Sequence, residues 1–142
     1  MFASAPLLAE PAPQALASYR PELDREQAQR IREADPAQGA LIFERKCSSC
    51  HDTGKGVGHG KGPNLWNLLD RPAGRAAGFA YSAALGQANF RWSYANLNYY
   101  LTRTDWAVPG VAMNFRGIRN DQQRAQLIAY LRGRHDQPPA LP

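Results

Sequence analysis

Sulfur is scarce in this chain: of 142 residues two are cysteine and two are methionine, one of them Met1. A small fold stapled by several disulfides is therefore excluded. Lysine occurs only at Lys46, Lys55 and Lys61, so the basic charge rests on arginine. No stretch approaches the roughly 20 apolar residues of a membrane-spanning helix, and no membrane span is expected. Phe2 to Ala9 are apolar but few, and the first basic residue is Arg20. They do not make a complete secretion signal, although Ala3-Ser4-Ala5 has the small-residue look of a cleavage site and the stretch fits the remnant of a trimmed signal. A chain of this length has room for one domain around one core.

Both cysteines stand together, in Cys47-Ser48-Ser49-Cys50-His51. Two thiols three positions apart, followed at once by an imidazole, is the spacing that attaches a c-type haem. Each thiol adds across one vinyl group of the porphyrin, and the next residue then stands over the iron. The expected cofactor is one haem c, covalent through Cys47 and Cys50, with His51 as its proximal ligand. Met113, 62 residues further on, is the candidate sixth ligand. A thioether is a soft neutral donor, and its pairing with histidine raises the reduction potential; the competing role for a lone methionine is core filler. Two other uses of the cysteines stand beside haem attachment, half a zinc site completed by His59 and His135, and a redox dithiol. The second cysteine pair or βαβ context that those need is missing.

Charge is unevenly spread. Residues 1–34 carry a net −1 and the remainder a net +6. A body with that surplus steers toward acidic partners and gains in encounter rate more than in affinity. Nucleic acid is the rival explanation, but no recognition motif accompanies the charge, and none is expected to bind.

Along the chain the pattern is helical, with loops long enough to wrap a cofactor. Residues 1–20, rich in Pro and Ala, read as a loosely ordered arm. Residues 21–33 open on Pro21 and acidic residues but offer only Leu23, Ala28 and Ile31 as an apolar face. The favoured expectation there is a solvated linker, the alternative a docking arm for a partner or for the chain's own body. Asp35-Pro36 caps a helix that runs to Cys47. Residues 121–134 carry Leu127, Ile128, Tyr130 and Leu131 at helical spacing. A third helix is expected over 93–103, and a short one over 82–87. Glycines alternate from Gly54 to Gly62, but no strand precedes them and no Lys-Ser/Thr closes the run, so a phosphate cradle is a poor fit. A loop covering the edge of the haem fits better. The expected division is an N-terminal extension (1–34), a haem domain (35–136) and a tail (137–142).

Residues 35–136 resemble a short class I cytochrome c, the mitochondrial and bacterial electron-carrier family. The landmarks, in order and without a gap, are Gly39 and Phe43, the haem motif, Gly62-Pro63-Asn64-Leu65, Gly78-Phe79-Ala80-Tyr81-Ser82 and Trp92. They continue with Tyr99-Tyr100-Leu101, Pro109-Gly110, Met113, Phe115, Gly117-Ile118 and Leu127–Leu131. The resemblance implies an all-α fold in which N- and C-terminal helices cross, Gly39 lying against Leu127 and Tyr130, while shorter helices and loops wrap one covalent haem. It implies that Pro63 offers its carbonyl to the free ring nitrogen of His51 and that the Tyr100 hydroxyl lies near the Met113 sulfur. Arg71, Tyr81 and Trp92, with Ser82 as a further donor, would meet the haem propionates, and Phe115 would pack near the exposed haem edge. The implied function is soluble one-electron transfer with His/Met ligation. The alternative is a dedicated cytochrome subunit, or electron acceptor, of a periplasmic dehydrogenase, with residues 1–34 as its docking arm. A peroxidase or gas sensor would need an open iron position, against which Met113 argues.

Implied partners are redox proteins with acidic docking surfaces (a dehydrogenase, a cytochrome bc complex, an oxidase or a reaction centre), met as a monomer or in a transient heterocomplex. Haem attachment of this kind places the chain outside the cytoplasm, in a bacterial periplasm, with the mitochondrial intermembrane space as the lesser alternative. Two departures from the family stand out. Leu85 and Val111 occupy positions where the mitochondrial type has an amide and a hydroxyl, which implies a drier distal side. Asp105, Trp106 and Ala112 replace lysines of the family's docking ring, which Arg45, Arg103, Arg116 and Arg119 substitute in part.

Overall fold

The computed structural model describes residues 13–142, so the apolar stretch Phe2–Ala9 lies outside the described residues. Among the described residues six helices follow one another: α1 (Arg25–Glu33), α2 (Pro36–Lys46), α3 (Ala83–Gly86), α4 (Tyr94–Thr102), α5 (Thr104–Ala107) and α6 (Asp121–Gly133). Among the described residues the only β pairing is an isolated bridge between Pro72 and Arg91. The expected all-α class is the one found.

The long helices start where the sequence supplies a cap. Asp35 accepts from the Ala37 N–H ahead of Pro36, Ser93 from Asn96 and Asn120 from Gln123, each satisfying an otherwise unpaired donor. α2 and α6 cross at Gly39. A Cβ there would stand 2.0 Å from the Gln126 carbonyl oxygen and 2.7 Å from the Tyr130 Cβ, so only glycine lets the backbones meet. The nearest approach is thus to Gln126 and Tyr130, while the buried Leu127 lines the cavity described below.

The solvated-linker expectation for residues 21–33 does not hold. α1 begins at Arg25 under an Asp24 cap and packs on α6, with Ile31 buried. Its second buried residue is polar: the Gln27 amide donates to Asn98 Oδ1 (3.1 Å) and to the Asp121 carbonyl (3.0 Å). Arg124, 4 % exposed, donates to the same Asn98 oxygen (2.7 Å) and to the Ile118 carbonyl (2.9 Å). Buried polar groups persist only when bonded, and this network is what seats α1 on α4 and α6. The arm reading for residues 1–20 is also corrected over 13–20, where Leu16 is fully buried. The tail is held as well: Tyr94 and Arg132 both donate to the Pro139 carbonyl, at 3.1 and 2.8 Å.

Candidate functional site

Where α2 ends, Cys47 closes it by donating its N–H to the Phe43 carbonyl, and the Cys50 and His51 N–H groups then both donate to the Cys47 carbonyl at 3.1 and 2.9 Å. This turn places both cysteines and the imidazole on one wall of a cavity of about 490 Å³. The two cysteines are not joined in a disulfide, and burial raises the Cys47 thiol to about 11.

His51 donates through Nδ1 to the Pro63 carbonyl at 2.7 Å. The loop between them doubles back, the Gly62 N–H donating to the Cys50 carbonyl at 2.7 Å. Gly62 lies flat against the imidazole: a Cβ there would stand 2.3 Å from His51 Cε1. Burial holds the His51 pKa below its usual value, opposed by the Pro63 bond and aided by the Arg71 charge.

Every site residue expected from the sequence lines this one cavity: Cys47, Cys50, His51, Pro63, Arg71, Tyr81, Trp92, Tyr100, Met113 and Phe115. Phe43, Leu68, Leu97, Leu101, Leu127 and Leu131 supply apolar walls. Tyr100 is buried, which pushes its phenol far above the ordinary range. Arg71 gives Nη1 to the carbonyls of Asn64 (3.3 Å) and Trp66 (3.2 Å), while its Nε is buried without a partner. The Ser82 hydroxyl is likewise buried and unpaired. Tyr81 accepts from the Ala76 N–H at 3.0 Å, leaving its own hydroxyl proton to donate. Such unpaired donors are costly in an apolar interior unless an acceptor meets them, and a carboxylate is a strong one. An apolar chamber with orphaned donors, two thiols and an imidazole fits a flat apolar macrocycle that carries carboxylates and a metal.

Residues 36–134 match the cytochrome c family profile. The chain belongs to the cytochrome c family. Cytochrome c of Chlamydomonas reinhardtii is 46% identical over 98 residues, covering 69% of this chain and 88% of that protein. The cytochromes c of Ulva intestinalis and Nigella damascena are 43% and 40% identical over 98 residues, with the same coverage. As a cytochrome c the chain is a haem-containing electron carrier, and it holds one haem c through the thiols of Cys47 and Cys50. These relatives come from eukaryotes, so they give the periplasmic expectation no support and fit its lesser alternative.

The zinc alternative fails on geometry. His59 spends both ring nitrogens elsewhere, accepting at Nδ1 from the Asn64 N–H (2.9 Å) and donating from Nε2 to the Ala77 carbonyl (2.7 Å). His135 bonds to the Leu69 carbonyl at 3.0 Å. Among the described residues no three His, Cys, Asp or Glu side chains converge. The structural use of His59, tying loop 52–64 to loop 74–80, was missed in the sequence because both partners are backbone groups without a residue signature. Gly62's contact with His51 was hidden in a glycine run for the same reason.

Proposed function

We propose that the chain carries single electrons with the haem iron held between His51 and Met113. What carries this reading is that both residues line one cavity while the His51 Nδ1 is engaged by Pro63, leaving Nε2 free to donate. When bound, the haem supplies a one-electron couple between ferric and ferrous iron. The residues around it do the rest. Pro63 fixes the imidazole tautomer and strengthens its donation. Arg71 Nε, Ser82 and Tyr81 are placed to donate to propionates, with Trp92 beside them. Leu68, Leu97 and Leu127 exclude water, which favours the less charged ferrous state. Lys61, Ala80 and Ala112 are exposed and also line the cavity, so its mouth opens between them, and Phe115 stands half-buried beside it.

Acidic redox proteins are the partner class, since the surplus charge lies outside residues 1–34. The second reading, a dehydrogenase subunit docked through residues 1–34, is not favoured, because Leu16, Gln27 and Ile31 of that segment are already buried against the chain's own body.

Optical spectra test the proposal. Wild-type protein made with a maturation system is expected to be low-spin, to show the weak near-infrared ferric band of sulfur on iron, and to ignore carbon monoxide when reduced. Met113→Leu should lose the band, lower the potential and admit carbon monoxide; a Met113→Leu protein that keeps the band and the wild-type potential would exclude Met113 as ligand.

A further inference from the structure

Residues 13–20 precede the part of the chain that matches the family, 36–134. They cross three elements in eight residues. Leu16 is fully buried in the apolar cluster that contains Ala107 and Val108, and its N–H donates to the Ala107 carbonyl at 2.8 Å. Ala107 ends α5, and the last carbonyls of a helix have no partner within it; Leu16 supplies one. On one side Tyr99 of α4 donates its hydroxyl to the Gln14 carbonyl at 2.5 Å, and Tyr19 packs edge-on against the same ring at 5.3 Å. On the other, Asn89 donates to the Ala17 carbonyl (3.1 Å) and receives Arg20 at its own carbonyl (3.2 Å). Ala15 and Ala17 share a small cleft with Ala84, Ala88 and Pro109.

α5 is the base of the loop that bears Met113. The loop leaves through Val108, where the Val111 N–H closes a turn onto the Val108 carbonyl at 3.1 Å. It returns at Phe115 and Arg116. There the Thr104 hydroxyl donates to the Phe115 carbonyl, and the Thr104 N–H to that of Arg116 at 3.2 Å. Both ends of the methionine loop therefore rest on a helix of four residues. One turn has little stability of its own and takes its position from what packs on it.

We propose that residues 13–20 are a strap that positions the methionine loop, with Leu16 as its positioning residue. None of these residues lines the haem-side cavity; the strap acts by pinning α5 from outside, which holds Met113 at the cavity and slows the opening through which its sulfur would leave. As regards iron, the proposal rests on the Met113 ligation proposed above; as regards the loop, it does not.

The test uses the ferric, haem-loaded full chain with imidazole as competing ligand, read by loss of the near-infrared band, together with hydrogen exchange of the Val111 amide. Leu16→Ala is expected to lower the imidazole concentration for half-loss about tenfold, equivalent to ~1.4 kcal/mol, and to speed Val111 exchange by a similar factor. Tyr99→Phe, which removes the hydroxyl that bonds Gln14, should shift both in the same direction by less, and it decides the matter if Leu16→Ala fails to take up haem. Ile31→Ala empties an equally buried site on α1 against α6. It should lower the unfolding midpoint while leaving imidazole binding and Val111 exchange at wild-type values. Equal effects of Leu16→Ala and Ile31→Ala, or unchanged Val111 exchange in both strap variants, would overturn the strap. A wild-type protein without the near-infrared band refutes Met113 ligation instead, and Val111 exchange then still decides whether the strap holds the loop.

Discussion

His51 Nδ1 and the Pro63 carbonyl oxygen lie 2.7 Å apart. A carbonyl can only accept, so the ring proton resides on Nδ1 and the lone pair on Nε2. The proline contributes through its backbone, and Gly62, just before it, lets that backbone come close. The tautomer and orientation of the imidazole are therefore set by one turn of chain.

Gly62→Ala tests this closeness. Its methyl group would stand 2.3 Å from His51 Cε1, so either the ring or the loop must move. The expected result is poorer haem loading and a loss of stability near the usual overpacking cost of about 1–3 kcal/mol. Normal loading with an unchanged denaturant midpoint would show that the loop yields freely.

At the helix crossing the obstacle is backbone, which cannot rotate away. Gly39→Ala would put a methyl group 2.0 Å from the Gln126 carbonyl oxygen. A loss at or above the upper end of about 1–3 kcal/mol is expected, whereas the fraction that does fold should keep the wild-type iron spectrum, since Gly39 does not line the cavity. Denaturant unfolding followed at the haem band measures both.

Leu85 and Val111 line the same cavity as Met113, both half-buried. Leu85→Asn with Val111→Thr should admit water there and favour the ferric state. A fall in potential of up to about 60 mV is expected, the equivalent of a tenfold change for a one-electron couple. An unchanged potential and alkaline ligand-exchange midpoint would refute the dry distal side.

Asp136 fastens the segment after α6 to loop 55–67. Lys55 first, at 2.6 Å, and Asn67 second, at 2.9 Å, hold its carboxyl at about 2, below the ordinary 3.8. A depressed carboxylate stabilises the fold above its unfolded pKa and loses that contribution as the pH falls through the folded value. Asp136→Asn should thus be less stable than wild type at neutral pH, with the difference closing between about pH 4 and pH 2. The site is exposed and the effect small; a difference that stays constant across that window in acid titrations of thermal midpoint would show that the ion pair contributes nothing.

Where a signal was local, the sequence carried it. Asp35, Ser93 and Asn120 cap α2, α4 and α6, and those helices fall within a residue or two of their expected ends. The haem motif was legible because the chemistry demands its spacing. α5 was not, since one turn of Thr-Asp-Trp-Ala has no periodicity to display. α1 was misread because its buried face includes Gln27, which composition counts as solvent-facing. Leu16 sits in an Ala/Pro-rich segment whose burial depends on Ala107, 91 residues away.

Covalent spacing and helix capping are properties of neighbours along the chain, so the amino-acid order alone settled the haem thiols and helices α2, α4 and α6. Which surfaces those helices bury is a property of neighbours in space. Only the tertiary structure turned residues 13–20 from loose arm into packed segment and seated residues 25–33 on α6, spent His59 on two backbone groups, and stood Arg71 and Ser82 with unpaired donors at the cavity. In each case the deciding partner is a carbonyl, an amide or an apolar wall brought from far away in the chain, and such a partner leaves no mark beside the residue it satisfies.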